Sequence, residues 1–159
     1  MVIHSLAFSG KLLQRGFWLY VWEITTPQEE LLYYVGRTGD SSSSNAQSPF
    51  NRMSQHLGFN ERSNVLRRRL TSRGIDPELC SFRLLAHGPI MKEAAALEEH
   101  RRQRDICAAF EKALASALSE AGYNVINIVN CRMPLDDSLF ADIRDAFADE
   151  FPKLTGIGE

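Results

Sequence analysis

The chain reads as an α+β domain: a small, mainly antiparallel three-stranded sheet flanked by helices in the order β-β-α-α-β-α, with an extra C-terminal helix. Three features predict this. Two β-rich runs, Phe17 to Ile24 and Leu31 to Gly36, flank a polar TTPQEE segment, and aromatic and branched side chains suit a pleated, half-buried surface. A short helix is punctuated on both sides, by Ser48 and Pro49 before it and by Gly58 after Leu57. Residues 90 to 121 are dense in Ala, Leu, Glu, Arg and Lys and contain neither Gly nor Pro.

A length of 159 residues suits a single domain, 1–159, with a core over about 17–130, an N-terminal arm over 1–16 and a C-terminal helical extension over 131–159. With 44% hydrophobic and 24% charged residues, the composition excludes wholesale disorder. No apolar run approaches the roughly 20 residues that span a bilayer, and the start lacks a signal peptide, so no membrane partner is expected. Cys80, Cys107 and Cys131 fit no zinc spacing and read as reduced thiols of a cytoplasmic protein. The formal charge of −2 does not favour a strong grip on nucleic acid, but the charges are segregated. Arg62, Arg67, Arg68, Arg69 and Arg73 crowd one segment, as either a solvated helix face or a patch that tracks phosphates.

Taken in order, the arm carries Ile3, Leu6, Leu12 and Leu13, which suggest that it packs as an edge element. In the hairpin, residues of equal parity share a face, so Trp18, Tyr20, Trp22 and Ile24 point one way, and Tyr20 and Tyr34 become cross-strand neighbours. Arg37 to Ser48, RTGDSSSSNAQS, is a surface loop of turn formers. On the capped helix that follows, Arg52 and His56 lie four residues apart and share a face. A second helix is expected over Ser63 to Arg73 and a third strand over Cys80 to His87, closing at Gly88-Pro89. The Ile90 to Ala121 helix is long enough for a break near Arg104 to Cys107. Gly122 ends it, an extended run follows from Tyr123 to Asn130, and Asp136 or Asp137 caps an amphipathic helix over Ser138 to Glu150.

Trp18-Leu19-Tyr20 followed by Tyr34-Val35-Gly36, then Arg52 and His56, resembles the GIY-YIG nuclease family, with Trp18 in place of the usual first glycine and a slightly longer connection. Within Glu93-Ala94-Ala95-Ala96-Leu97-Glu98 the chain looks like the family's helix with its metal-binding glutamate, and Gly122-Tyr123-Asn124 resembles a late motif whose asparagine orients the site. The resemblance spans about Phe17 to Asn130 and implies catalytic roles for Tyr20, Tyr34, Arg52, His56, Glu98 and Asn124, with Glu99 or Glu111 as rivals to Glu98 and Asn127 as a rival to Asn124.

That resemblance implies hydrolysis of DNA phosphodiesters with Mg²⁺ or Mn²⁺ held by Glu98, and with Arg37, Arg67, Arg68 and Arg69 on the nucleic acid. A single carboxylate with several waters suffices to anchor Mg²⁺. An arginine fork suits the charge that grows on non-bridging oxygens. A phenol near its ordinary pKa of about 10 is a poor base unless positive charge favours phenolate, so Tyr20 and His56 both stand as candidates for the base. RNA as substrate and a homodimer as the source of specificity stay open. The other classes are an inactive nucleic-acid-binding module on the same scaffold, in which Trp18 crowds the site, and an unrelated α+β interaction domain whose candidate residues lie scattered.

Overall fold

The computed structural model describes residues 2–39 and 45–156. Its sheet has three antiparallel strands in the order β2-β1-β3, formed by β1 (Phe17–Thr25), β2 (Leu31–Arg37) and β3 (Ser81–Met91). The helices are α1 (Pro49–Leu57), α2 (Val65–Thr71), α3 (Leu97–Glu120) and α4 (Asp137–Ala148). The expected α+β class and element order therefore hold.

β1 is central, with a strand on each edge and helices packed on both faces, so every residue from Phe17 to Trp22 is buried. Odd-numbered side chains (Phe17, Leu19, Val21, Tyr33 and Val35) pack with Phe110, Leu114 and Leu118 of α3 and with Ile143 and Phe147 of α4. Even-numbered ones (Tyr20, Trp22, Ile24, Leu32 and Tyr34) meet Leu66 and Leu70 of α2. The period-2 alternation of a strand thus assigns the two tyrosines of interest to the α1/α2 side and the hydrophobic bulk to the α3/α4 side.

The boundaries differ from the sequence reading in ways that packing explains. β3 runs past Gly88-Pro89 to Met91, because Gly88 admits the Trp18 indole: a Cβ there would lie 2.9 Å from Trp18 Cδ2. The long helix consequently begins only at Leu97, and it is unbroken to Glu120. Its end matches expectation, with Gly122 in a left-handed conformation (φ 87°) and Tyr123 N–H bonded to the Leu118 carbonyl. Around α1 the punctuation works as read: Ser48 Oγ accepts from Asn51 N–H at 3.3 Å, and Gly58 is the C-cap. Asp136 caps α4 by accepting from Leu139 N–H at 3.0 Å. α2 is shorter than expected.

The arm is not an edge strand. It forms a single 3₁₀ turn, Gly10–Leu13, with Phe8 stacked 4.8 Å from Phe50 of α1. Instead, the free edge of β2 is covered by the segment after α3: Tyr33 bridges Val125 in parallel, and Ile126 N–H donates to the Tyr33 carbonyl. Of the expected surface loop after β2, residues 40–44 lie outside the described residues.

Phe110 is fully buried at the centre of the α3/sheet contact. Phe110→Ala is expected to cost about 3–5 kcal/mol. Equilibrium urea unfolding measures this, and a loss below about 1 kcal/mol would contradict the packing described.

Candidate functional site

β1 and β2 pair with Tyr20 opposite Gly36 and Trp22 opposite Tyr34. Tyr20 and Tyr34 are therefore diagonal neighbours on one face rather than directly opposed partners. A Cβ on Gly36 would sit 2.4 Å from Tyr20 Cε2 and 2.6 Å from its Oη. The Tyr20 ring lies flat against the backbone of β2, and only glycine leaves room for it.

The hydroxyl of Tyr20 meets Nε2 of His56 at 2.6 Å, and the Tyr34 ring meets the same imidazole edge-on with centroids 5.2 Å apart. His56 is 2% exposed and Tyr20 1%. Burial, and secondarily the guanidinium of Arg52 one turn earlier on α1, push the His56 pKa down to about 3. The imidazole is therefore neutral at physiological pH. With Nδ1 protonated, Nε2 accepts the Tyr20 proton, and that Nδ1 has no hydrogen-bond partner among the described residues. Arg52 is half-buried and its Nη1 donates to Gln55 Oε1 at 2.8 Å, which fixes the guanidinium on the His56 face of the helix.

The asparagine that supports this site is Asn127, not Asn124. Asn127 Oδ1 accepts from Val35 N–H at 2.9 Å and its Nδ2 donates to the Val35 carbonyl at 2.7 Å, so the side-chain amide completes the edge of β2 between Tyr34 and Gly36. Asn124 holds the same edge only through its backbone carbonyl, and its exposed side chain bonds Glu30 at 3.0 Å.

Glu98 is not brought to the tyrosine-histidine pair. It lies in the first turn of α3 with its side chain 81% exposed, bonded to Arg102 at 2.7 Å, and Glu99 pairs with the same arginine at 3.8 Å. The carboxylate of α3 that reaches β2 is Glu111, whose Oε2 accepts from Arg37 Nε at 2.9 Å with both side chains mostly buried. Thirteen residues of unbroken helix separate Glu98 from Glu111, roughly 20 Å along the axis. Arg37 follows Gly36 directly, so Glu111 stands at the end of the strand on which Tyr20 rests, but on the α3 face of the sheet, opposite the Tyr20 ring.

Among the other arginines, Arg67 is anchored, donating to the Leu57 carbonyl at 2.7 Å, whereas Arg68 is exposed and Arg69 half-buried on α2. Trp18 does not crowd the tyrosines. Its indole leans toward β3 against Gly88, away from β2, and its Nε1 donates to the Gln14 carbonyl at 3.1 Å. Comparison of the chain with models of known families, with curated proteins and with solved structures finds no match. No helix among the described residues is long and apolar enough to cross a membrane.

Two outcomes follow from this geometry. Asn127→Ala strands the buried amide and carbonyl of Val35 and should cost about 1–3 kcal/mol, while Asn124→Ala should stay within about 0.5 kcal/mol. Thermal or urea unfolding of the pair distinguishes them, and equal losses would refute the clamp. For His56, the folded pKa of about 3 lies below the unfolded value near 6.5, so between those limits the unfolded chain binds the extra proton. Stability should therefore fall as pH drops from about 6.5 towards about 3, with a shallower fall in His56→Gln; an NMR titration showing His56 charged at pH 6 would overturn the assignment.

Proposed function

We propose that the chain is a divalent-metal-dependent endonuclease that hydrolyses phosphodiester bonds in DNA. The observation that carries this reading is the buried 2.6 Å hydrogen bond between Tyr20 and His56, with Arg52 one turn away on the same helix. A neutral imidazole bonded to a phenol is a pair suited to hold a water, and a guanidinium beside it is suited to a phosphate's non-bridging oxygens. Order along the chain adds support, since these residues occupy the positions that the GIY-YIG resemblance assigns to them.

In this reading the phenol of Tyr20, fixed by its hydrogen bond to the Nε2 of neutral His56, accepts a hydrogen bond from the attacking water and orients it. Arg52 balances the charge that develops on phosphorus oxygens in the transition state. Gly36 and Asn127 hold the strand that the Tyr20 ring lies on. Neither candidate carboxylate is set beside the Tyr20–His56 pair: Glu98 is exposed and engaged by Arg102, and Glu111 is bonded to Arg37 on the α3 side of the sheet, so the described residues do not form a metal site there. Mg²⁺ or Mn²⁺, held chiefly by waters and the substrate phosphate, would supply Lewis-acid stabilisation of the leaving oxygen. The three free cysteines suit a cytoplasmic protein.

One observation favours a second reading, a binding module without cleavage: the Glu111 carboxylate is already engaged by Arg37. Incubation of the purified chain with plasmid DNA, with and without Mg²⁺, separates the two. Cleavage is expected only with metal, and Tyr20→Phe and Arg52→Ala should each reduce its rate by roughly 100-fold or more. Circular dichroism checks that the variants fold. DNA binding with no cleavage in any metal would favour the module, and full activity of Tyr20→Phe or Arg52→Ala would discard the site.

A further inference from the structure

Between Asn45 and Ile75 the chain carries six arginines and a single carboxylate, Glu61, although its formal charge is −2. Arg62, Arg68, Arg69 and Arg73 form no ion pair with any described residue, and Arg67 reaches Glu78 only at 3.9 Å. Such an excess of uncompensated positive charge on one segment is the electrostatic footprint of a polyanion partner.

Within it lies Phe59, in the turn after α1 and 79% exposed. Single exposed aromatics are ordinary on protein surfaces. This ring differs because it is pinned. The Arg67 guanidinium lies over it with Cζ 4.2 Å from the centroid, and that guanidinium is itself held by the Leu57 carbonyl at 2.7 Å. One face of the ring thus rests on a fixed cation and the other is open to solvent. Phe59 follows His56 by three residues, so its backbone lies within roughly 10 Å of that of His56.

We propose that Phe59, backed by Arg67, is a stacking platform for an unpaired base, and that the arginines of the same segment that form no ion pair attract the phosphates of the strand. Stacking on an aromatic side chain beside a guanidinium is how proteins grip single strands without reading sequence, because every base has a π-face. A base within an intact duplex has both faces occupied by its neighbours. The platform therefore selects a single-stranded, frayed or branched polynucleotide, which narrows the substrate class of the function proposed above and rests on that reading.

The test is fluorescence anisotropy in EDTA, so that binding is read without cleavage, using a labelled oligo-dT, an oligo-U of the same length and a blunt duplex. The native chain should bind both single strands more tightly than the duplex. Phe59→Ala should weaken single-strand binding by roughly 5- to 150-fold with little effect on the duplex, and Phe59→Trp should restore it. An unchanged single-strand affinity in Phe59→Ala, or equal losses for single strand and duplex, overturns the platform while leaving the nuclease reading intact. Absence of binding to any of the three by the native chain overturns the platform, and absence of Mg²⁺-dependent cleavage as well overturns both.

Discussion

The Tyr20 ring lies directly on the backbone of Gly36, and the rest of the candidate site depends on that contact. Any side chain at position 36 would occupy the volume of the phenol, with a Cβ at 2.4 Å from its ring. With glycine there, the ring lies down along the sheet and its hydroxyl reaches the His56 imidazole that α1 presents from above. The burial that results keeps the imidazole neutral, since the charged form would lose its hydration without a compensating carboxylate. One close backbone approach thus sets the position of the phenol and, through it, the protonation state of its partner.

That contact needs a straight, held strand. β2 is an edge strand, with β1 on one side only, and an edge exposes unpaired amides and carbonyls that invite slippage. The segment after α3 answers this with backbone bonds at Tyr33 and, where its own backbone diverges, with the two-pronged amide of Asn127 on Val35. On the opposite face α3 and α4 supply the apolar mass, including Phe110, Leu114 and Phe147, against which the sheet is rigid. The polar constellation is therefore supported from the side by hydrogen bonds and from behind by packing.

Charge on the chain is divided in the same way. The segment of α1 and α2 is arginine-rich and bears His56, while Glu111 and Arg37 neutralise each other at the end of β2. Arg67 spends its charge structurally, on the Leu57 carbonyl and the Phe59 ring, so cationic residues adjacent in sequence take different roles. A count of arginines on a helix does not distinguish them, because direction on a helix turns by about 100° per residue.

Much was legible in the sequence by itself: the hairpin with its face assignment, the caps of α1, the Arg52 and His56 spacing, the glycine stop of α3 and the capped final helix. These are local matters, decided by dihedral preference, by caps that satisfy orphan amides and by two simple periodicities. Tertiary structure decided where β3 ends and α3 begins, with the Trp18 indole packed on Gly88 inside the strand, and it decided by the docking of α3 on the sheet that Glu111 rather than Glu98 meets Arg37 of β2. It likewise chose Asn127 over Asn124 and paired Tyr20 with Gly36 instead of Tyr34. Register and the docking of one element on another depend on volumes and hydrogen-bond partners far apart in the chain, and no local pattern carries that information.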